Sequence, residues 1–130
     1  MSFQPLANAE LAVMEVIWDA KGPVTARQIR EQLYPGTDRT QHGTIQRLLQ
    51  RLEDKGFIDR DDQLPVHLFT GRISRDDYAG SQLESLAAKL TGGSIAPLIT
   101  HLIDQQKISP SELDRLRAIL DDTPPKEDER

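Results

Sequence analysis

The chain has 130 residues, 37% of them hydrophobic and 28% charged, and its net charge of −5 excludes a protein that coats nucleic acid through overall positive charge. It contains no cysteine, which excludes disulfides, thiolate metal sites and cysteine nucleophiles and agrees with a cytoplasmic protein. No apolar run approaches the roughly 20 residues that span a bilayer, and the start of the chain lacks the pattern of a signal peptide, so we expect no membrane insertion.

The first two predicted helices are short and amphipathic. Asn8 is predicted as the N-cap of the first, whose buried face consists of Leu11, Met14, Ile17 and the core residue Trp18. Glycine and proline at 21–23 end it. Thr25 is predicted to cap the second helix, which buries Ala26, Ile29 and Leu33 and ends at the "YPGTD" of residues 34–38.

The third predicted helix follows Thr40 as its N-cap and carries an unbroken apolar stripe. Ile45, Leu48, Leu49 and Leu52 stand at i, i+3, i+4 and i+7, the spacing of a buried helix face. Gly56 is predicted to end the helix in the left-handed conformation, after Lys55 in the last turn. Gly43 in the first turn either costs about 1 kcal/mol relative to alanine or permits close approach of the backbone to another molecule.

The opposite side of this helix is polar, and residues 39–60 carry five basic residues against three acidic ones. At 100° per residue this side consists of Gly43, Arg47, Gln50 and Asp54, flanked by Thr44, Gln46 and Arg51. Arginine suits guanine, glutamine suits adenine, and hydroxyls near a helix start hold phosphates. A solvated helix face gives a similar pattern, but here Glu53 and Asp54 lie toward the C-terminal end, which favours DNA reading by the N-terminal half.

Two strand segments follow, "FIDR" at 57–60 and "VHLFT" at 66–70, with the polar turn "DDQLP" at 61–65 between them. Strand, turn and strand after three helices are typical of a winged helix. The predicted fold class is therefore mainly α with a small β-wing (α+β), in which residues 1–72 form an N-terminal winged helix-turn-helix domain that binds DNA.

Three further helices are predicted after the wing, and the last of them starts with Ser109 as cap and Pro110 at N1. Their apolar faces comprise Leu83, Leu86, Leu90, Ile95, Leu98, Ile99, Leu102, Ile103, Leu113, Leu116 and Leu120. So small a segment cannot bury this surface alone, so residues 73–122 are predicted to form the dimerisation module of a homodimer. The alternative is that these helices fold back on the first unit. Residues 123–130 are predicted to be a disordered tail.

The sequence contains no arrangement of residues typical of an enzyme active site. His42, His67 and His101 fall on three different elements, and no metalloprotease, nucleophile-elbow or phosphate-loop motif occurs. We therefore expect no enzyme activity, no cofactor and no metal.

Three motifs resemble the BlaI/MecI/CopY family of bacterial repressors, also called penicillinase repressors: "ELAVMEVIW" at 10–18, "TIQRLLQRLEDKG" at 44–56 and the final Asp-Tyr after the wing. The resemblance, over roughly residues 6–121, implies a homodimeric repressor of a near-palindromic double-stranded operator. Carried over by position, it places Thr40, Gln41, His42, Gly43, Thr44, Gln46, Arg47 and Arg51 of the recognition helix and Arg60 of the wing at the DNA.

The chain departs from the family pattern at three places. Relatives often have a basic residue where this chain has Gly43, and Asp61 and Asp62 stand in a wing tip that tends to be glycine-rich and basic. In the β-lactam branch a membrane sensor protease triggers cleavage in the dimerisation module, at a position that corresponds here to Ser85-Leu86. The cysteine cluster of the copper branch is absent. The acidic wing supports a rival hypothesis, a winged-helix module that binds protein and not DNA.

Overall fold

The computed structural model describes residues 3–36 and 39–124. Within these ranges the elements are α1 (Asn8–Asp19), α2 (Ala26–Leu33), a 3₁₀ turn (Arg39–Gln41), α3 (His42–Asp54), β1 (Ile58–Asp61), β2 (Leu68–Gly71), α4 (Arg75–Leu90), α5 (Ala96–Asp104) and α6 (Pro110–Asp122). The predicted fold class, mainly α with a small β-wing, is confirmed. The chain divides into two compact units between Leu83 and Glu84.

The helix starts show which side chains cap. Thr25 caps α2 as predicted, since its hydroxyl accepts the Gln28 N–H at 3.1 Å. The prediction that Asn8 caps α1 is wrong. Ala7 is the N-cap, and its N–H is bound by the Glu10 carboxylate at 2.8 Å, so the helix starts one residue earlier.

Thr40 is likewise not the cap of α3, because it lies in the 3₁₀ turn that leads directly into the helix. Gln41 occupies the N-cap position without a side-chain hydrogen bond, and its backbone is already helical. Turns of this type commonly precede α-helices and satisfy part of the first turn through the backbone.

The two strands form an antiparallel wing in which Ile58 pairs with Gly71 and Asp61 with Leu68. A bridge between Val24 and Phe69 joins this hairpin to the segment before α2, with two backbone hydrogen bonds of 3.0 and 2.8 Å. The wing is therefore fixed to the start of α2 as well as to α3.

The core of the first unit is formed by the predicted apolar faces of the first three helices together with wing residues. Its most buried side chains are Val13, Met14, Ile29, Ile45, Leu49, Leu52, Phe57, Ile58 and Phe69. Trp18 packs against this cluster and donates from Nε1 to the Ile73 carbonyl at 2.9 Å. Burying these side chains stabilises the fold by about 1.5–3 kcal/mol for each large one.

The first half of α4 belongs to this first unit, which extends past residue 72, because the N-terminal segment is hydrogen-bonded to it. The Tyr78 hydroxyl accepts the Leu6 N–H at 2.7 Å, and the buried Ser81 hydroxyl accepts the Phe3 N–H at 3.0 Å. The Phe57 ring meets both Phe3 and Tyr78 edge-on. The two hydrogen bonds join residues more than 70 positions apart, so local sequence patterns do not predict them.

The second unit contains the end of α4 and helices α5 and α6. Ser109 caps α6 as predicted, accepting the Glu112 N–H at 3.2 Å. Among the described residues from Glu84 onward only Ala87 is buried, and no residue of α5 or α6 is. The predicted tail from residue 125 lies outside the described residues, while the Thr123 hydroxyl donates to the Ile119 carbonyl at 2.6 Å.

Candidate nucleic-acid interface

Helix α3 has one face buried in the core and an opposite face that is polar and exposed. Ile45, Leu48, Leu49 and Leu52 are each at most 5% exposed, so the predicted stripe is confirmed as the buried side. Gly43, Arg47, Gln50 and Arg51 are exposed, and Thr44 and Gln46 are partly exposed beside them. The helix can therefore present its N-terminal polar side chains to another molecule without any rearrangement of the core.

The C-terminal end of α3 is fixed by its backbone cap. Gly56 has a φ of +82°, as predicted. The Phe57 N–H then reaches the Leu52 carbonyl at 2.9 Å and the Gly56 N–H reaches the Glu53 carbonyl at 3.0 Å. This is the Schellman arrangement, which ends a helix sharply and turns the chain into β1.

A buried ion pair holds the same end of α3 against α1. Lys55 Nζ donates to Glu10 Oε1 at 2.8 Å, and the Glu10 side chain is 2% exposed. Burial raises the pKa of the Glu10 carboxyl. The hydrogen bonds from Lys55 and from the Ala7 N–H, with the charges of Lys55 and Arg51, outweigh that effect and leave this pKa below its ordinary value. Sequence reasoning placed Lys55 at the helix dipole and missed this pair, which joins residues 45 positions apart.

The predicted contact residues at the start of α3 are held by short-range hydrogen bonds. His42 Nε2 and Gln46 Nε2 are 3.2 Å apart, and Arg47 Nη2 lies 3.4 Å from the Thr44 hydroxyl. Thr40 is exposed and Gln41 partly exposed in the preceding turn. These polar side chains all lie in the N-terminal half of α3 or in the turn that precedes it.

Two further residues lie on the polar side of this helix, Gln50 and Gly43. Gln50 donates to Asp54 at 2.9 Å, which occupies its amide within the helix. A Cβ added at Gly43 would lie 3.5 Å from Arg47 Nη1, an ordinary contact, so the fold does not require glycine there.

Arg60 is the wing residue predicted to meet DNA, and it is only 18% exposed. Its Nε donates to Glu53 at 3.0 Å, its Nη1 lies 3.0 Å from His67 Nδ1, and its guanidinium lies over the Phe69 ring at 4.9 Å. The structure thus brings Arg60 and His67 together at the base of the wing, an association that the sequence did not reveal.

The tip of the wing has a different character. Asp61 and Asp62 are exposed, Leu64 is 61% exposed and Val66 is 60% exposed. The Asp61 carboxylate accepts the Gln63 N–H at 3.1 Å and so shapes the turn. An acidic and apolar tip is unsuited to phosphate contact, which agrees with the departure noted in the sequence.

The comparison with known proteins identifies the family of this fold. The sequence model of the penicillinase repressor family matches residues 6–122, nearly the whole chain. The chain belongs to the penicillinase repressor family. Its members of known role are transcriptional repressors and not enzymes, in agreement with the interpretation of the motifs at 10–18 and 44–56.

Individual relatives agree over most of their length. A penicillinase repressor from Bacillus licheniformis is 27% identical over 117 residues, which cover 90% of each chain. The methicillin resistance regulatory protein MecI from Staphylococcus aureus is 28% identical over 88% of this chain and 92% of its own. The transcriptional regulator BlaI from Mycobacterium tuberculosis is 31% identical over 88% of this chain and 82% of its own.

Two further features concern the described part of this penicillinase repressor family member. None of its helices in residues 3–36 and 39–124 is long and apolar enough to cross a membrane. The same residues contain no cluster of three or more histidine, aspartate or glutamate side chains placed to hold a metal ion.

Proposed function

We propose that the chain is a homodimeric transcriptional repressor that recognises a near-palindromic operator by placing α3 in the major groove. The winged helix over residues 1–72 binds the DNA and the helices over 73–122 join two copies. Because a repressor must share a compartment with its operator, the cytoplasm of a bacterium is part of this proposal.

The observation that carries the proposal is the division of α3 into a buried stripe and a polar N-terminal surface. A helix that reads bases needs a rigid anchor on one side and donors near its start on the other. The core residues Ile45 and Leu49, both 0% exposed, supply the anchor. Thr44, Gln46, Arg47 and Arg51 supply donors, and family membership supports their use on DNA.

Replacing Arg47 tests base reading directly. Arg47→Ala is expected to lose about 1–3 kcal/mol of discrimination between the operator and its single-base variants, as for removal of a bidentate base contact. The operator is first obtained by selecting bound sequences from random DNA with the purified protein, which also reports dyad symmetry and half-site spacing. Arg75→Ala is the control, since Arg75 is exposed on α4 and paired with Asp19. Equal discrimination by the wild type and Arg47→Ala would remove Arg47 from base readout.

Homodimerisation through α4, α5 and α6 is supported by the exposed apolar side chains of a single chain. Leu86 is 44% exposed, Leu90 64% and Leu120 72%, and they belong to the predicted dimerisation set. Monomeric proteins rarely expose large apolar patches to water, so we expect these side chains to be covered in a dimer. A dimer of two reading heads predicts half-sites about 34–36 Å apart, or a multiple of that distance.

The proposal also includes a release mechanism, in which a sensor protease cleaves the repressor and so ends repression. Ser85 and Leu86 are exposed, but both lie inside α4. A protease can cleave their peptide bond only if this part of the helix unfolds locally, so cleavage is coupled to the stability of α4. Mass spectrometry of the repressor after exposure to the inducing signal would locate the cut; an intact chain under full induction would exclude this mechanism.

The second candidate function is that of a winged helix that binds protein and not DNA. Only the wing tip favours it. Its acidic Asp61 and Asp62 and its exposed Leu64 and Val66 suit a protein surface better than a phosphate backbone. Salt separates the two functions, because DNA binding releases counterions and its affinity falls steeply as salt rises. A salt-insensitive, weak association with every DNA tested would favour the protein-binding module.

A further inference from the structure

A hydrogen bond joins two side chains in the first turns of α3. His42 is the first residue of the helix, and Gln46 follows it one helical turn later. His42 Nε2 and Gln46 Nε2 are 3.2 Å apart, within hydrogen-bond distance. An amide nitrogen can only donate, so His42 Nε2 accepts the bond and the neutral ring carries its hydrogen on Nδ1. This bond fixes which way round the Gln46 amide lies.

The His42 ring is turned toward the protein. It lines a cleft of about 550 Å³ that the starts of α2 and α3 form with the wing. Its Nδ1 is buried and has no hydrogen-bond partner among the described residues. A buried N–H group without a partner lowers the stability of the fold. Folding alone therefore gives no reason for a polar ring at this position, because an apolar side chain would fill the same space without that cost.

The bond to His42 leaves Gln46 with the groups that match adenine. It uses one of the two amide hydrogens, while the second hydrogen and Oε1 stay outside it. A glutamine that reads adenine donates to N7 and accepts from the N6 amino group, so it needs one donor and one acceptor side by side. Turning the amide by 180° would exchange the two groups. The orientation that His42 imposes thus decides which base edge Gln46 can match.

We propose that His42 is a positioning residue for base reading, which holds the Gln46 amide so that Gln46 recognises an adenine of the operator. This inference rests on the proposed function. It gives His42 a role different from the DNA contact that the family resemblance implies, since the ring acts through Gln46. A side chain that is ordered before binding loses less entropy at the interface. Only an operator with the matching base gains from this, so the bond increases discrimination.

A double-mutant cycle on an operator selected from random DNA tests the proposal. Gln46→Ala is expected to lose about tenfold or more of discrimination at one base pair per half-site, which identifies the base that Gln46 reads. His42→Leu removes the acceptor and keeps the cleft filled. It is expected to lose about three- to tenfold at that same base pair and nothing at the others. In the Gln46→Ala background, His42→Leu is expected to have no further effect.

Two further variants serve as controls. His42→Gln retains an acceptor near the position of Nε2 and is expected to restore most of the discrimination. Asp54→Ala is the matched control, because Asp54 accepts from Gln50 at 2.9 Å with the same spacing at the other end of the helix. It is expected to leave the preference at the Gln46 base pair unchanged. Thermal unfolding checks the fold, and His42→Leu is expected to be about as stable as the wild type, since Nδ1 has no described partner.

Three results would overturn the proposal. If His42→Leu weakens all operators equally and does so in the Gln46→Ala background too, the ring contacts DNA by itself. If His42→Leu keeps full discrimination, the bond does not orient Gln46. If Gln46→Ala keeps full discrimination, there is no reading by Gln46 for His42 to support. In each case operator selection by the wild type leaves the proposed function intact, whereas failure of the wild type to select any DNA would remove the proposed function as well.

Discussion

At the residue scale the Glu10–Lys55 pair has the widest consequences, because it ties the end of α3 to α1. The carboxylate is 2% exposed and accepts from both Lys55 and the Ala7 N–H at 2.8 Å. Lys55 is 26% exposed, so the pair is reached by water from one side only. Removing one partner of such a pair leaves a buried charge without compensation, which costs more than an exposed salt bridge contributes.

Glu10→Gln is expected to lower the free energy of unfolding at neutral pH by about 1.5–3 kcal/mol, the range for a hydrogen bond to a charged group. The pKa of Glu10 is lowered in the folded state, so its stabilisation is complete above the unfolded pKa and is lost as the pH falls through the folded one. Denaturant unfolding from pH 7 to pH 3 should show a steeper loss of stability below about pH 4.5 in the wild type than in Glu10→Gln. Parallel curves would mean that Glu10 does not contribute through its charge.

At the element scale α3 combines a buried core face with an exposed polar face that we propose reads DNA, and Gly43 is the residue at which folding and DNA binding make different demands. The glycine is exposed in the first turn, and an added methyl group would meet only Arg47 Nη1 at 3.5 Å. Glycine weakens a helix by roughly 0.5–1 kcal/mol relative to alanine, so folding alone gives no reason to keep it. Close approach of the helix backbone to DNA would provide that reason.

Gly43→Ala is therefore expected to raise the free energy of unfolding by about 0.5 kcal/mol and to weaken operator binding about tenfold, since an overpacked contact typically costs 1–3 kcal/mol. Thermal unfolding and fluorescence anisotropy measure the two effects. Gly80→Ala, in the exposed interior of α4 with nothing within 4 Å of the added methyl, is the control and should stabilise without altering affinity. A stabilised variant with full affinity would show that DNA does not approach the backbone at Gly43.

At the scale of the whole molecule, many apolar side chains of the last three helices are exposed in a single chain. No residue of α5 or α6 is buried, although α5 contains Leu98, Ile99, Leu102 and Ile103 in nine residues. Each fully buried leucine or isoleucine would contribute about 1.5–3 kcal/mol. In the proposed homodimer, a second copy of the chain would cover these side chains with the same apolar face.

Leu90→Asp is expected to dissociate the homodimer, since it replaces an apolar contact with a charge at a residue that is 64% exposed in one chain. Light scattering at micromolar concentration should show a mass near two chains for the wild type and a dissociation constant raised at least tenfold in the variant. Leu64→Asp makes the same change at a wing residue of 61% exposure and should remain dimeric. A monomeric wild type would contradict the homodimer itself.

The sequence by itself determined the helices, the wing and the polar surface of α3. Apolar spacing identified the stripe from Ile45 to Leu52, and local chemistry identified the caps Thr25 and Ser109 and the left-handed Gly56, because each of these depends on residues within one or two turns. The caps at Asn8 and Thr40 were predicted wrongly because Glu10 and a 3₁₀ turn satisfied those helix starts by other means.

Only the tertiary structure decided which distant side chains meet. The Glu10–Lys55 pair and the hydrogen bonds of Tyr78 and Ser81 to the N-terminal segment join residues that are remote in sequence. So does the cleft that the starts of α2 and α3 form with the wing. Side-chain spacing along a helix or strand follows from backbone geometry, but the approach of two elements depends on how their apolar faces pack. That packing brings Arg27, Arg60 and His67 from separate elements to one cleft beside α3.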